Sequence, residues 1–301
     1  MHDLKSASSG IKAPLNEIEI CYETFGDPRD PAVLLIAGFG EQMLVWESQF
    51  CNQLAAMGYW VIRYDNRDVG QSTYMLADAP SRVALACAFL LGTGVRTSYR
   101  LEDLAQDAVG LLDHLRVDKA HLIGRGLGGM VAQVMASHYK DRVESLASLM
   151  SSAGDKTLKA PSFTLLSKLF RVTPNDSETY VEHMAEVCEL INGKRYPFDA
   201  TAAMQMARQV FSRGHNEDGI ARQLAAYLSA PDRHEALAEL RIPALIIHGD
   251  ADPLIPVEHG IDTAEHIQTA NLRIIPGLGH TLPAAYWPDL IQDLLTHFNS
   301  S

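Results

Sequence analysis

The feature that most constrains the fold is a glycine-rich turn that joins a predicted strand directly to a predicted helix. Residues 121–132 read HLIGRGLGGMVA, which is an apolar run, a cluster of glycines and a second apolar run. So tight a turn has little room for side chains where strand and helix meet, and glycine suits it. The segment therefore predicts a strand at 121–124 and a helix at 127–139.

Apolar runs alternate with helical patterns along most of the chain. The runs predict strands at residues 32–37, 60–64, 143–150, 244–248 and 272–275, and helical spacing predicts helices at 101–115 and 288–298. This alternation is typical of an α/β fold with a mostly parallel central sheet flanked by helices.

One long segment interrupts the alternation. Residues 152–241 have a helical, polar pattern with interleaved Met, Phe and Tyr and no clear strand. A helical stretch of this length between two strands predicts an inserted cap over one end of the sheet. We expect a core of residues 1–153 and 236–301 and a helical cap at 154–235.

The glycine-rich turn has the form of a G-x-S-x-G nucleophile elbow, in which a serine sits on a strained turn above the sheet. Gly124 and Gly128 occupy the flanking positions, and Gly126 stands where the serine belongs. Because glycine tolerates positive φ, this change keeps the fold and deletes the attacking hydroxyl. We expect no neighbour to replace it, since Leu127 is apolar and Arg125 should point away on the turn.

The same glycines formally match a dinucleotide-binding fingerprint, G-x-G-x-x-G, at Gly124, Gly126 and Gly129. That fingerprint belongs at the first strand of a βαβ unit, with an acidic residue about 20 residues on. Here the turn lies deep in the chain, and the next predicted strand ends in SLMSS without an acid. The nucleotide interpretation is therefore disfavoured.

A histidine and an acid follow the turn in the order that a hydrolytic triad on an α/β sheet requires. His280 lies on a glycine-rich loop after a predicted strand, and Asp250 and Asp252 lie just after the preceding strand. His280 would move the proton between nucleophile and leaving group. We choose Asp252 as the acid that orients His280, because it lies further past the strand end, and expect Asp250 to stabilise its turn.

An oxyanion hole needs two backbone N–H groups near the nucleophile. Leu127 would supply one, and Phe39, on the loop after the first predicted strand, would supply the other. Gly38, Phe39 and Trp46 are the expected substrate-binding residues. The polar segment at 64–72, YDNRDVGQS, predicts a buried turn that braces neighbouring loops.

The composition of the chain argues against some classes of binding partner. The formal net charge of −12 argues against nucleic acid and anionic membranes. The four cysteines are scattered without metal-ligand spacing, so neither a metal nor a cofactor is expected.

The first residues show no secretory signal, and the apolar run at 83–95 is too short to span a bilayer, so it predicts a buried or site-lining helix. Helix 288–298 predicts a solvated position for His297. The default prediction is a cytoplasmic protein with a small-molecule substrate.

Five segments, IAGFG, YDNRDVGQS, LIGRGLGGMVAQ, IIHGDADPLIP and IPGLGHTLP, together resemble the bacterial α/β-hydrolase superfamily. Within it the chain is similar to the branch of aclacinomycin methylesterase and related serine esterases. The resemblance covers nearly the whole chain and implies a triad at Gly126, Asp252 and His280, with oxyanion donors at Phe39 and Leu127. It is poor at specifying the substrate.

Two hypotheses follow from these residues. The first is a carboxylic-ester hydrolase of the serine esterase or lactonase type, acting on neutral apolar esters, polyketide and macrolide esters included, but inactive in this chain because of Gly126. The alternative is a catalytically dead hydrolase-fold protein that binds a ligand. Gly126 itself has two explanations: an inactivating change that traps substrate, or a natural pseudoenzyme.

Overall fold

An eight-stranded sheet forms the centre of the molecule in the computed structural model, which describes residues 10–169 and 176–300. The strands are β1 (Ile11–Leu15), β2 (Ile18–Phe25), β3 (Ala32–Ile36), β4 (Trp60–Tyr64), β5 (Ala120–Arg125), β6 (Val143–Leu149), β7 (Ala244–Gly249) and β8 (Ala270–Ile275). They are ordered β1-β2-β4-β3-β5-β6-β7-β8, with β3 to β8 parallel and β1 and β2 antiparallel. The predicted α/β fold with a mostly parallel sheet is confirmed.

Helices cover both faces of this sheet. In the described residues they are α1 (Ser48–Ala56), α2 (Arg82–Leu91), α3 (Leu101–His114), α4 (Leu127–His138), α5 (Phe163–Leu169), α6 (Ser177–Ile191), α7 (Ala200–Arg213), α8 (Glu217–Ser229), α9 (His234–Ala238), α10 (Glu258–Glu265) and α11 (Trp287–Phe298). Alternate residues of β3 point to opposite faces. Leu34 and Ile36 pack with α3 and α4, whereas Val33 and Leu35 pack with α1 and α11.

The six predicted strands correspond to β3–β8, but the sequence pattern does not predict β1 and β2. The predicted strands are apolar throughout because parallel strands are covered on both faces. In β1 the residues Ile11, Lys12 and Pro14 are exposed, so the apolar signal is short and broken. Proline is tolerated there because β1 is an edge strand.

Helix α2 corrects the expectation for the apolar run at 83–95. Of its residues only Leu85 and Ala88 are buried, where they pack on α8, while Val83 and Leu91 are each 73% exposed. The run is therefore not a buried helix, whereas the other half of the expectation, a site-lining helix, stays a prediction, since Ala88 and Phe89 line a pocket. None of the described helices is long and apolar enough to cross a membrane.

Helices α5–α9 lie between β6 and β7, in the segment predicted to form the cap. Two buried ion pairs join this segment to the polar turn after β4. Arg213 Nη2 lies 2.6 Å from Asp65 Oδ2, and Arg222 binds both carboxylate oxygens of Asp68 at 2.8 and 2.7 Å. Both aspartates are fully buried. The turn therefore braces its surroundings as expected, while the exact division into core and cap stays a prediction.

Replacing Arg222 with methionine should lower the free energy of unfolding by about 3–5 kcal/mol, because it leaves the buried charge of Asp68 unpaired. The matched control is Arg82→Met, which removes an exposed pair with Glu217 and should cost less than about 1 kcal/mol. Urea unfolding measures both. Equal losses in the two variants would contradict the assignment.

Two histidines are buried in the fold, although the sequence predicts a solvated position for His297. His121 of β5 and His297 of α11 are 6% and 8% exposed. His121 bonds to Ser145 Oγ at 2.8 Å and its ring lies 4.3 Å from that of Phe298. Burial lowers the pKa of each histidine to about 4.

Acid should therefore destabilise the fold through these groups. Between pH 6.5 and about 4 the unfolded chain binds protons on His121 and His297 that the folded chain does not, so stability falls as pH falls. His121→Gln should remove up to about 1.4 kcal/mol per pH unit from that dependence. Urea unfolding at several pH values tests this, with a substitution of the exposed His138 by Gln as the comparison.

Candidate active site

The turn between β5 and α4 has the backbone of a nucleophile elbow. Gly126 has φ +52° and ψ −120°, a backbone conformation that residues other than glycine adopt only with strain. A Cβ at Gly124 would lie 2.2 Å from the carbonyl oxygen of Gly128, and one at Gly128 would lie 2.2 Å from that of Ile36. The two flanking glycines are thus required by close backbone contact, as the motif implies.

Gly126 faces the imidazole of His280. A Cβ built on Gly126 would lie 3.3 Å from Nε2 of His280 and 4.0 Å from the Cα of Gly38. A hydroxyl carried on that Cβ would therefore start within reach of the histidine nitrogen and of the loop after β3. The structure brings together the three loops that the sequence singled out.

His280 and Asp252 form a buried hydrogen-bonded pair. Nδ1 of His280 lies 2.7 Å from Oδ2 of Asp252, and the N–H groups of Leu254 and Ile255 donate to Oδ1 at 2.8 and 2.9 Å. Burial alone would raise the pKa of Asp252, but the charge of His280 and the hydrogen bonds from His248 and His280 outweigh it and hold the pKa well below its usual range. Asp252 is thus ionised and turns Nε2 of His280 toward Gly126.

Asp250 takes no part in this pair. Its Oδ1 accepts the N–H of Gly277 at 2.5 Å and so joins the turn after β7 to the loop after β8. This is the turn-stabilising position expected for it.

The loop after β3 leaves one N–H group directed at the site. Gly38 N–H donates to Glu41 Oε2 at 2.8 Å, and Gly40 N–H donates to Gln223 Oε1 of α8 at 2.9 Å. Within the described chain, the N–H of Phe39 between them has no acceptor. Leu127, the first residue of α4, has an N–H with no partner inside its helix. Both N–H groups are thus without an acceptor in the described chain, and their role as oxyanion donors stays a prediction.

Trp46 lies in a different place from the one expected of a substrate-binding residue. It is 1% exposed, its ring stacks on that of Phe50 at 5.8 Å, and both belong to the core beneath α1 and α11. The assignment of Trp46 to the substrate site is wrong on this geometry, because the ring has no free face. The sequence does not reveal whether an aromatic residue shortly after the loop of Phe39 lies in the core or in the active-site cleft.

Arg125 also departs from expectation, since it was predicted to point away from the turn. It is 4% exposed, and its Nη2 donates to the carbonyl oxygen of His280 at 2.7 Å and lies 3.1 Å from Glu41 Oε1. The residue before the elbow glycine therefore contacts both the histidine loop and the loop after β3. Sequence pattern misses this, because both partners are far away along the chain.

The loop of His280 is bound to the end of α6. His280 N–H donates to the carbonyl oxygen of Ile191 at 2.6 Å, and Gly279 N–H donates to that of Asn192 at 3.2 Å. In return, the N–H groups of Lys194 and Arg195 donate to the carbonyl oxygen of Gly277. The segment after α6 thus fixes the backbone that carries the histidine.

A pocket of about 120 Å³ lies beside the loop of Asp252, and its described lining includes none of Gly126, His280 and Phe39. Its walls come from α2, α4, α8 and the loops after β6 and β7, with Phe89, Met130 and Tyr227 among the apolar residues. Leu254 and Ile255, which bind Asp252 through their N–H groups, line its side.

The chain belongs to the alpha/beta hydrolase fold family, whose model matches residues 31–283. It is 28% identical over 304 residues to rhodomycin D methylesterase DnrP of Streptomyces peucetius, covering 94% of this chain and 95% of that protein. It is 29% identical over 306 residues to rhodomycin D methylesterase DauP of a further Streptomyces strain, with the same coverage. The predicted membership and the likeness to methylesterases are confirmed.

A solved structure with the same fold is the enol-lactonase from Burkholderia xenovorans. It superposes with a TM-score of 0.74, covering 97% of this chain and 100% of that chain at 20% identity. This likeness shows the fold, whereas the methylesterase relatives support a hydrolase or esterase function.

Gly126→Ser should lower the free energy of unfolding by about 1–3 kcal/mol, because it places a side chain at the positive φ of the elbow. Gly58→Ser is the matched control: Gly58 has φ +86° and open space around it, so it measures the cost of the backbone conformation alone. Urea unfolding compares the two. A stabilised Gly126→Ser protein would contradict a strained elbow.

Proposed function

We propose that this chain has the active site of a carboxylic-ester hydrolase of the serine esterase type, from which only the nucleophilic hydroxyl is missing. The observation that carries the proposal is the 3.3 Å between a Cβ on Gly126 and Nε2 of His280. A serine at this position would lie directly beside its general base, with the imidazole giving by a few tenths of an ångström. The methylesterase relatives agree with this chemistry.

Each group then has a defined task in the serine-bearing protein. The hydroxyl attacks the ester carbonyl while Nε2 of His280 takes its proton, and the same proton passes to the leaving alcohol. Asp252 holds His280 in the required tautomer through Nδ1. The N–H groups of Phe39 and Leu127 stabilise the negative oxygen of the tetrahedral intermediate. Water then repeats the sequence on the acyl-enzyme.

The substrate class is a neutral, apolar ester or lactone of moderate to large size. The likeness to rhodomycin D methylesterases supports this assignment and extends it to polyketide and macrolide esters. With Gly126 in place, the chain should bind such a substrate and release it unchanged. The cytoplasmic location stays a prediction.

The competing function is that of a catalytically dead hydrolase-fold protein that binds a ligand. The observation in its favour is Gly126 itself, which relaxes the backbone and removes the nucleophile. The retained contact between His280 and Asp252 favours the esterase.

Gly126→Ser should restore hydrolysis of nitrophenyl esters and bulky lactones, since loss of a triad serine costs on the order of 10⁶ in turnover. His280→Ala in the restored protein should abolish it again. Rates are measured on a panel of esters, with Ser137→Ala, on the far end of α4, as a control that changes nothing.

A folded Gly126→Ser protein that hydrolyses no ester on the panel would overturn the esterase proposal. Binding of the same esters by the unmodified chain, measured by calorimetry, would then favour the ligand-binding protein.

A further inference from the structure

We propose that the ion pair between Arg125 and Glu41 positions the active site by holding the oxyanion loop and the histidine loop at fixed places beside the elbow. The inference rests on the proposed function, which gives these two loops their catalytic meaning. Neither side chain touches the reacting atoms in that mechanism, so both are positioning residues.

The contacts form a continuous path across the site. Arg125, the last residue of β5, donates from Nη2 to the carbonyl oxygen of His280 at 2.7 Å. The same nitrogen lies 3.1 Å from Glu41 Oε1, and Glu41 Oε2 accepts the N–H of Gly38 at 2.8 Å. The elbow, the histidine loop and the oxyanion loop are thus joined by two side chains.

This path determines which N–H group faces the substrate. The carboxylate of Glu41 takes the N–H of Gly38, and the N–H of Glu41 donates to the carbonyl oxygen of Gly38 at 3.2 Å, which fixes the peptide that carries the free N–H of Phe39. A Cβ at Gly38 would lie 2.6 Å from Glu41 Oε2, so a side chain there would displace the carboxylate. Gly38, predicted as a substrate-binding residue, is explained at least as well by the space that Glu41 needs.

Burial of this pair points to more than packing. The side chain of Arg125 is 5% exposed, that of Glu41 is 28% exposed, and the Nε of Arg125 has no hydrogen-bond partner. Burying a guanidinium with an unpaired nitrogen destabilises a fold, and an apolar side chain of similar size would often be neutral or better. A charge kept at this place is explained by the two loops that it holds.

The chain offers a matched comparison in the pair between Arg63 and Glu23. The side chain of Arg63 is 3% exposed and binds Glu23, which is 16% exposed. Arg63 also donates a hydrogen bond to a carbonyl oxygen, that of Trp46. This pair joins β4 to β2, away from His280 and Gly38. Loss of either arginine should cost stability, but only Arg125 should affect the chemistry.

Steady-state kinetics in the Gly126→Ser background test the proposal. Arg125→Met should lower kcat by about 10- to 100-fold with KM within about threefold, the size expected when catalytic groups shift by about 1 Å. Arg125→Lys keeps the charge and should recover part of the loss, and Glu41→Gln should fall between. Arg63→Met should leave kcat within about twofold. A change in KM without a fall in kcat, or an equal fall in kcat in Arg125→Met and Arg63→Met, would overturn the proposal.

A second measurement needs no activity and is made on the unmodified Gly126 chain. The Nδ1 proton of His280, shared with Asp252, is followed by NMR after labelling the histidines with ¹⁵N, and Asp252→Asn assigns its signal. Arg125→Lys and Glu41→Gln should shift or broaden that signal, whereas Arg63→Met should not. Both milder variants retain a polar side chain, so the test survives if Arg125→Met fails to fold.

The two experiments separate the failure of each proposal. If Gly126→Ser is inert on every ester but the His280 signal responds to Arg125, the esterase function is lost and the positioning role stands as a structural property. If Gly126→Ser is active and neither kcat nor the signal responds to Arg125 or Glu41, the positioning proposal fails and the function stands.

Discussion

The rest of the site depends on the close approach of three backbones at the elbow. Strand β5, helix α4 and the end of β3 meet where Gly124 and Gly128 leave no room for a Cβ. Because of this contact, the N-terminus of α4 lies beside the loop after β3, and the N–H groups of Leu127 and Phe39 come to one place. The strained conformation of Gly126 is a consequence of the same crossing.

The segment between β6 and β7 completes the site from the other side. Gln223 of α8 binds the N–H of Gly40 in the oxyanion loop, and Ile191 at the end of α6 binds the N–H of His280. Ion pairs of Arg213 and Arg222 with buried aspartates anchor this segment to the polar turn after β4. The loops of Phe39 and His280 are therefore held both by the sheet and by the inserted helices, so movement of those helices would shift His280.

The sequence could predict the parts of the site that depend on local pattern. Gly126, Asp252 and His280 follow strand ends in a fixed order, and parallel strands bring such ends to one edge of the sheet. Arg125 and Trp46 were misjudged because their surroundings come from residues distant along the chain, which no local spacing reveals. Strand β1 was missed for a different reason: at the edge of the sheet, half of its residues face water and the apolar signal is lost.

The pattern of buried charge bears on why a chain without a nucleophile has this site. Asp252 and Arg125 are both buried, and both bind the loop of His280, Asp252 at Nδ1 of the ring and Arg125 at the carbonyl oxygen. A pocket that only binds an apolar ligand gains nothing from an ionised aspartate behind a histidine, and apolar packing would be more stable. Under the proposed function, the arrangement serves a reaction that develops charge at His280 and on an oxygen beside Phe39. Gly126 then represents one change in a site whose other parts still fit that reaction.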